Sequence, residues 1–232
     1  MKQIRALRAF LPCVLVVADG VQDKGATRAW LAELNDPCVH LIEMMSGYTW
    51  SNALNRALHH ISLMNAERVR AGTSPFEMMF NVSVEARFRK EHLEAMLAEF
   101  ADEKVGVVGT SFRGVQEGNT ISLGRSYRHP RNTGMIIRLS VFWHRMVRDF
   151  DAFCDDIGGM EDIDFVYRLK VFAGLETRML DLGVDLIVGK HYNQSQKEAR
   201  ERDAMDKIFH RYRNWADELT ASIVVAWKLM ED

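Results

Sequence analysis

Short apolar runs alternate with amphipathic stretches along the chain, and this alternation predicts strands and helices in turn. Six runs rich in apolar residues are typical of strands: residues 13–18, 39–44, 76–82, 105–110, 135–139 and 184–188. The β-branched character of the first run suits a strand buried on both faces. Stretches with helical spacing of apolar residues are residues 3–11, 27–34, 50–64, 89–100, 141–147, 161–172 and those from 196 onward. We therefore predict an α/β fold with a mainly parallel central sheet flanked by helices.

The C-terminal part differs from the rest because it reads as one charged helix with an apolar stripe. We predict a single domain over residues 1–195 and a helical extension over residues 196–232. The stripe recurs at helical spacing and consists of Ile208, Tyr212, Trp215, Leu219, Ile223 and Trp227. We expect it to pack on the domain or to form a homo-oligomer contact. The mixed charges between its members make no basic face, which argues against attachment to a membrane surface.

Composition narrows the classes of function. The chain has 232 residues, of which 47% are hydrophobic and 27% charged, an ordinary balance for a globular protein. Lysine and arginine number 30 against 32 acidic residues, so the net charge is −2 and no overall basic field exists to hold nucleic acid. We predict no nucleic-acid partner.

The cysteines and the N-terminal residues bear on the compartment. The chain has three cysteines and no CxxC pair, which argues against a disulfide scaffold and a structural zinc site. Basic residues precede the apolar run 9–18, in the outline of a secretory signal. Pro12 interrupts that run, and the same residues make sense as a buried strand. We therefore predict a cytoplasmic protein, with the secretory signal as the alternative.

Polar side chains follow two of the predicted strands, where ligands bind in open α/β sheets. Asp19 comes directly after the first strand, placed either to accept hydrogen bonds from a base or ribose or to cap the next helix. Strand alternation puts Asn81, Ser83 and Glu85 on one face, where they could share a ligand. As a metal site this set is weak, because only Glu85 is anionic and hard cations prefer carboxylates.

A third group is a cluster of acids behind two glycines. Glu161, Asp162 and Asp164 fall in the first turn of a predicted helix that follows residues 158–159. The helix dipole favours negative charge there, which would explain the acids without any catalysis. Three carboxylates together should nevertheless repel one another, and such clusters often tune a general base or lie beside a cation.

These segments, in this order, resemble family-2-type glycosyltransferases with the GT-A fold. Residues 16–25 are similar to the family's VVDDGSTDGT segment, and residues 48–58 to its G-x-x-x-A-x-N-x-G-L helix. Residues 80–84 fall where the family carries its metal-binding D-x-D, and residues 132–138 resemble the strand before the acceptor site. Residues 158–169 closely match GG-x-x-E-D-x-D-L-x-x-R-L, the most specific of these motifs.

The resemblance implies transfer of a sugar from a nucleotide-diphosphate donor to an acceptor hydroxyl, with inversion. The donor would be a UDP-, GDP- or dTDP-sugar, and the acceptor a glycan or a lipid-linked molecule. Asp162 would be the general base, with Glu161 and Asp164 beside it. The departing diphosphate needs positive charge. Three arginines of a polar loop could meet it, although on their own they read as a solvated face: Arg125, Arg128 and Arg131.

The resemblance also implies donor-binding and metal-binding positions. Asp19, Asn55 and Asn81 would contact the donor, Asp19 through its base. Ser83 and His191 would hold a divalent cation, Mn²⁺ or Mg²⁺. His191 rests on the resemblance alone, because a lone histidine is more often structural.

The sequence also departs from the family pattern, which keeps two other interpretations open. Asn81 and Ser83 replace the acids of the D-x-D, Ala18 replaces the first acid of the base-binding pair, and the family's opening strand has no counterpart before Cys13. These departures favour a non-catalytic GT-A-like protein that binds carbohydrate or a partner enzyme. A plain α/β domain whose acids only cap helices is the third interpretation.

Overall fold

The computed structural model describes residues 2–121, 123, 130–143, 153, 161–189 and 194–212. The chain divides into two compact units, Met1–Phe76 and Glu77–Asp232. Strands and helices occur in both, which confirms the predicted α/β class. The division into residues 1–195 and 196–232 stays a prediction, although the last described helix begins at Gln194.

The first unit is built on a pair of parallel strands. The strands β1 (Val14–Asp19) and β2 (Val39–Met44) pair in register, with Val14 opposite Val39 and Asp19 opposite Met44. Four helices accompany them: α1 (Lys2–Arg8), α2 (Gly20–Asp23), α3 (Ala26–Leu34) and α4 (Trp50–Arg70). The buried apolar side chains of this unit come from α1, from both strands and from one face of α4.

Local signals set the helix ends in the first unit. Asn35, which the sequence predicts as a stop, ends α3 in the left-handed region at a φ of 46°. Thr49 caps α4, because its hydroxyl accepts a hydrogen bond from the Asn52 amide at 3.1 Å. The helix α4 continues past the predicted residue 64. Asn65 fixes its later turns by donating to the Phe76 carbonyl at 3.0 Å and accepting from the Phe76 amide at 2.7 Å.

The second unit holds a six-stranded sheet of order β3-β7-β5-β8-β4, with β6 paired to β5. Its strands are β3 (Met78–Val82), β4 (Ala86–Arg87), β5 (Val105–Gln116), β6 (Asn119–Ile121), β7 (Gly134–Arg138) and β8 (Glu176–Ile187). Its helices are α5 (Lys90–Ala98), α6 (Glu161–Phe172) and α7 (Gln194–Tyr212), and short 3-10 turns span Glu99–Ala101 and Leu139–Trp143. The helix α5 contacts β5 and β8, and α6 contacts β8.

The large sheet is mixed, which corrects the expectation of a mainly parallel sheet. The strands β5 and β8 are parallel, whereas the pairs β3–β7, β5–β7, β4–β8 and β5–β6 are antiparallel. One cause is local: Glu117 and Gly118 form a tight turn with φ values of 50° and 84°, so β6 must return beside β5 in the opposite direction. This turn joins β5 and β6 in a hairpin.

Apolar side chains of the sheet and of α6 form the core of the second unit. Fully buried members are Val105, Val107, Val108, Met135, Ile137, Phe165 and Leu169. Phe153 packs on Phe165 with ring centroids 4.8 Å apart. Ile208 of the predicted C-terminal stripe is also fully buried, whereas the stripe beyond Tyr212 lies outside the described residues. Among the described helices, none is both long and apolar enough to cross a bilayer.

Candidate functional site

Asn81 is a predicted donor contact at the position of the family's D-x-D, and its side-chain amide bonds within the protein. Burial alternates along β3, and Asn81 faces inward with only 8% of its surface exposed. Its side-chain amide donates to the side-chain oxygen of Asn132 at 3.2 Å. Asn132, equally buried, belongs to the turn that precedes β7.

Asp162 accepts two backbone hydrogen bonds and pairs with an arginine at the start of α6. The Asn132 backbone amide donates to Asp162 Oδ2 at 3.0 Å, and Arg131 Nε lies 3.0 Å from the same oxygen. The Ile163 amide donates to Oδ1 at 2.9 Å, which satisfies one of the free amides of the helix start. Only 4% of Asp162 is exposed. The nearby guanidinium and amides offset the cost of burying this carboxylate and fix its orientation.

The contacts join two groups of residues that the sequence predicts separately. Asn81 bonds to Asn132, and Asn132 bonds to Asp162. These two hydrogen bonds link β3, the turn 131–133 and α6. Gly134 closes the turn, and a Cβ there would lie 2.4 Å from Phe88 Cζ, so the close packing of Phe88 requires glycine.

Ser83 and Glu85 also bond within the chain. The Ser83 hydroxyl donates to the Glu85 carboxylate, and the Glu85 amide donates back to Ser83 Oγ at 3.3 Å. Because β3 ends at Val82, Glu85 lies in a turn and does not continue the face that carries Asn81. Among the described residues, no three His, Cys, Asp or Glu side chains cluster so as to hold a metal ion. His191 lies outside the described residues.

The acids of α6 lie in different environments. The repulsion expected between them is reduced because Asp162 and Asp164 each pair with an arginine. Asp164 and Arg168 are both fully buried, with Arg168 Nε and Nη2 at 3.0 and 2.9 Å from Asp164 Oδ2. Asp162 pairs instead with Arg131, so two of the acids each have an arginine of their own. Glu161 is buried as well. Asp164 thus pairs within α6, whereas Asp162 bonds to the turn that precedes β7.

Two predicted donor contacts belong to the first unit. Asp19 Oδ1 accepts hydrogen bonds from the Val21 and Gln22 amides at 3.1 Å each, so it caps α2, as the alternative interpretation expects. Asn55 is half-buried on α4. Neither observation tests a contact with a nucleotide, and both assignments stay predictions.

Sequence reasoning missed Asn132 and misread Arg131. As a member of a polar loop, Arg131 suggests a solvated face, yet its guanidinium pairs with Asp162. The signal for Asn132 is its place just before a strand that resembles the acceptor-site strand, but its partner Asp162 is 30 residues away. Arg125, Arg128 and the glycines at 158–159 lie outside the described residues.

Comparison with known proteins bears on this geometry. No protein-family model matches the sequence, and no curated protein matches it. The structure is similar to that of residues 1–349 of S. aureus TarS, with a TM-score of 0.60 and 16% identity, over 98% of this chain and 65% of that one. The chain has a GT-A-like fold. At this identity the likeness establishes the fold alone, and the chain spans 65% of the length of the TarS chain.

A second solved structure is less similar. It is the 4-diphosphocytidyl-2C-methyl-D-erythritol synthase of Anaerococcus prevotii, with a TM-score of 0.48 and 10% identity, over 88% of this chain and 84% of that one. A score at this level carries no argument about function.

Proposed function

We propose that the protein transfers a sugar from a nucleotide-diphosphate donor to an acceptor hydroxyl, with inversion and with Asp162 as general base. The fold supports a nucleotide-sugar transferase in general terms. The observation that carries the proposal is the buried Asp162 carboxylate, because two backbone amides and an arginine hold a negative charge in a fixed orientation.

The proposed step is a single displacement. The acceptor hydroxyl gives its proton to Asp162 while its oxygen attacks the anomeric carbon, and the bond to the diphosphate oxygen breaks with its electron pair. Oδ2 accepts from the Asn132 amide and pairs with Arg131, whereas Oδ1 accepts only from Ile163 among the described residues. We therefore assign the proton to Oδ1. A general base in this position contributes about 100-fold to 10,000-fold in rate.

A divalent cation is not given a step in this proposal. Of Asn81, Ser83 and Glu85, only Glu85 carries a carboxylate, and that carboxylate accepts from the Ser83 hydroxyl, so this set fits a hard cation poorly. The predicted Mn²⁺ or Mg²⁺ requirement is therefore a separate question for experiment.

A ligand screen tests the proposal directly. Thermal unfolding is followed with UDP-, GDP- and dTDP-sugars, each with Mn²⁺ and with EDTA, because a bound ligand stabilises the folded state. We expect one nucleotide class to raise the Tm, and the same donor to release its diphosphate when acceptors are supplied. No shift and no release with any donor would contradict the proposal.

A non-catalytic protein that binds carbohydrate or a partner enzyme is the second candidate. It is favoured by the internal bonds of Asn81 and Ser83, which occupy the side chains that would otherwise meet the donor. Binding of a glycan without diphosphate release from any donor would support this candidate over the transferase.

A further inference from the structure

We propose that Asn81 is a positioning residue that acts through Asn132 on the carboxylate of Asp162. The inference rests on the proposed function, because it assigns Asp162 the role of base. It gives a structural use to a residue that the resemblance predicts as a donor contact.

The turn 131–133 takes its position from β3. The Ser83 amide donates to the Thr133 carbonyl at 3.0 Å, and Gly134 pairs with Val82 across the sheet. These bonds fix the backbone after Asn132. The Asn81 side chain holds the side-chain oxygen of Asn132, and the backbone amide of the same residue donates to Asp162.

The chemistry of the pair explains why Asn81 would matter to a base it does not touch. Asn81 and Asn132 are both buried, so the hydrogen bond between their side chains is not readily replaced by water. Loss of that bond leaves the buried Asn132 side-chain oxygen without this donor, and a shift of the turn 131–133 that satisfies the oxygen also displaces the Asn132 backbone amide from Asp162. A misplacement of about 1 Å in a reacting group costs on the order of 100-fold in rate.

The variant Asn81→Leu removes the amide and keeps a side chain of similar size. We expect kcat to fall by about 10-fold to 100-fold while KM stays within about twofold, since the bond that is lost lies within the protein and acts on the base. Asn132→Ala should give a similar loss, and the double variant should lose little more than either single one. Additive losses in this cycle would overturn the proposal.

Two further variants test whether the loss of activity comes from the loss of the Asn81–Asn132 hydrogen bond. In Asn81→Asp the Asn132 side-chain amide can turn over and donate to the new carboxylate, so we expect kcat to return to near the wild-type value measured under the same conditions. Asn119→Leu on the exposed strand β6 is the matched control, and it should leave kcat unchanged. A kcat for Asn81→Asp as low as that of Asn81→Leu would contradict the hydrogen-bond explanation.

A measurement that needs no turnover separates this inference from the proposed function. Hydrogen exchange of the Asn132 backbone amide reports the hydrogen bond from this amide to Asp162, and Asp162→Ala gives the exchange rate without that bond. We expect Asn81→Leu to accelerate this exchange by about tenfold and Asn119→Leu to leave it unchanged. Unchanged exchange in Asn81→Leu overturns the positioning role. If exchange is accelerated but the protein turns over no donor, the proposed transferase function is wrong, whereas the link from Asn81 to the Asn132 backbone amide is confirmed.

Discussion

The buried ion pair of Asp164 and Arg168 gives the sharpest prediction about stability. Both side chains are fully buried, and two nitrogens of Arg168 meet one oxygen of Asp164 at 3.0 and 2.9 Å. Arg168→Met removes both charge-assisted bonds and leaves a buried carboxylate without them. We expect the free energy of unfolding to fall by about 3–5 kcal/mol. For a domain of this size the Tm should fall by about 6–20 °C.

The pair Asp203–Lys207 on α7 provides a matched control. It has the same spacing and an N–O distance of 2.8 Å, but its side chains are 69% and 49% exposed. Lys207→Met should therefore cost less than about 1 kcal/mol. Urea unfolding of both variants measures the difference. The double variant Asp164→Leu, Arg168→Met should be more stable than Arg168→Met alone, because it buries no charge. A loss below about 1 kcal/mol in Arg168→Met would refute this account of α6.

Three further predictions concern single side chains. Burial raises the pKa of Tyr167 from 10.0 to about 12, so the folded state keeps this proton to a higher pH than the unfolded state does. The resulting stabilisation is complete below pH 10, and the free energy of unfolding should fall by up to about 3 kcal/mol towards pH 12. Urea unfolding at a series of pH values measures this loss, and Tyr167→Phe should abolish it. Gly134→Ala should lower the free energy of unfolding by about 1–3 kcal/mol through its clash with Phe88, and an unchanged Tm would contradict that packing. Burial raises the pKa of the Cys13 thiol, so iodoacetamide should label it more slowly at pH 8 than it labels a free cysteine, as mass spectrometry would show.

Much of the fold could be predicted because the buried strands carry their signal locally. The predicted strand over residues 39–44 coincides with β2, and the predicted helix over 161–172 with α6. The strands β5 and β8 were predicted too short, since each has 12 residues and its outer part exposes one face. Such a part lacks a continuous apolar run. The relative direction of neighbouring strands could not be predicted, because an apolar run does not indicate which strand it pairs with.

The candidate site was predictable in its residue types but not in its contacts. The acidic motif gave Asp162 as the candidate base, which stays a prediction. Strand alternation predicted one face for Asn81, Ser83 and Glu85, whereas the strand ends at Val82 and only Asn81 lies within it. The bond between Asn81 and Asn132 joins residues 51 positions apart, a distance over which a single sequence gives no pairing signal. Arg131 was misread for the same reason, because its partner becomes a neighbour only in the folded chain.

The central claim is that Asp162 acts as the base of a sugar transfer, and the rate of diphosphate release tests it most directly. Wild-type protein and Asp162→Asn are compared with the donor that stabilises the fold, at saturating acceptor, after the Tm of each has shown that both are folded. We predict a release rate at least about 100-fold lower in Asp162→Asn. Equal rates in the two proteins would contradict the account.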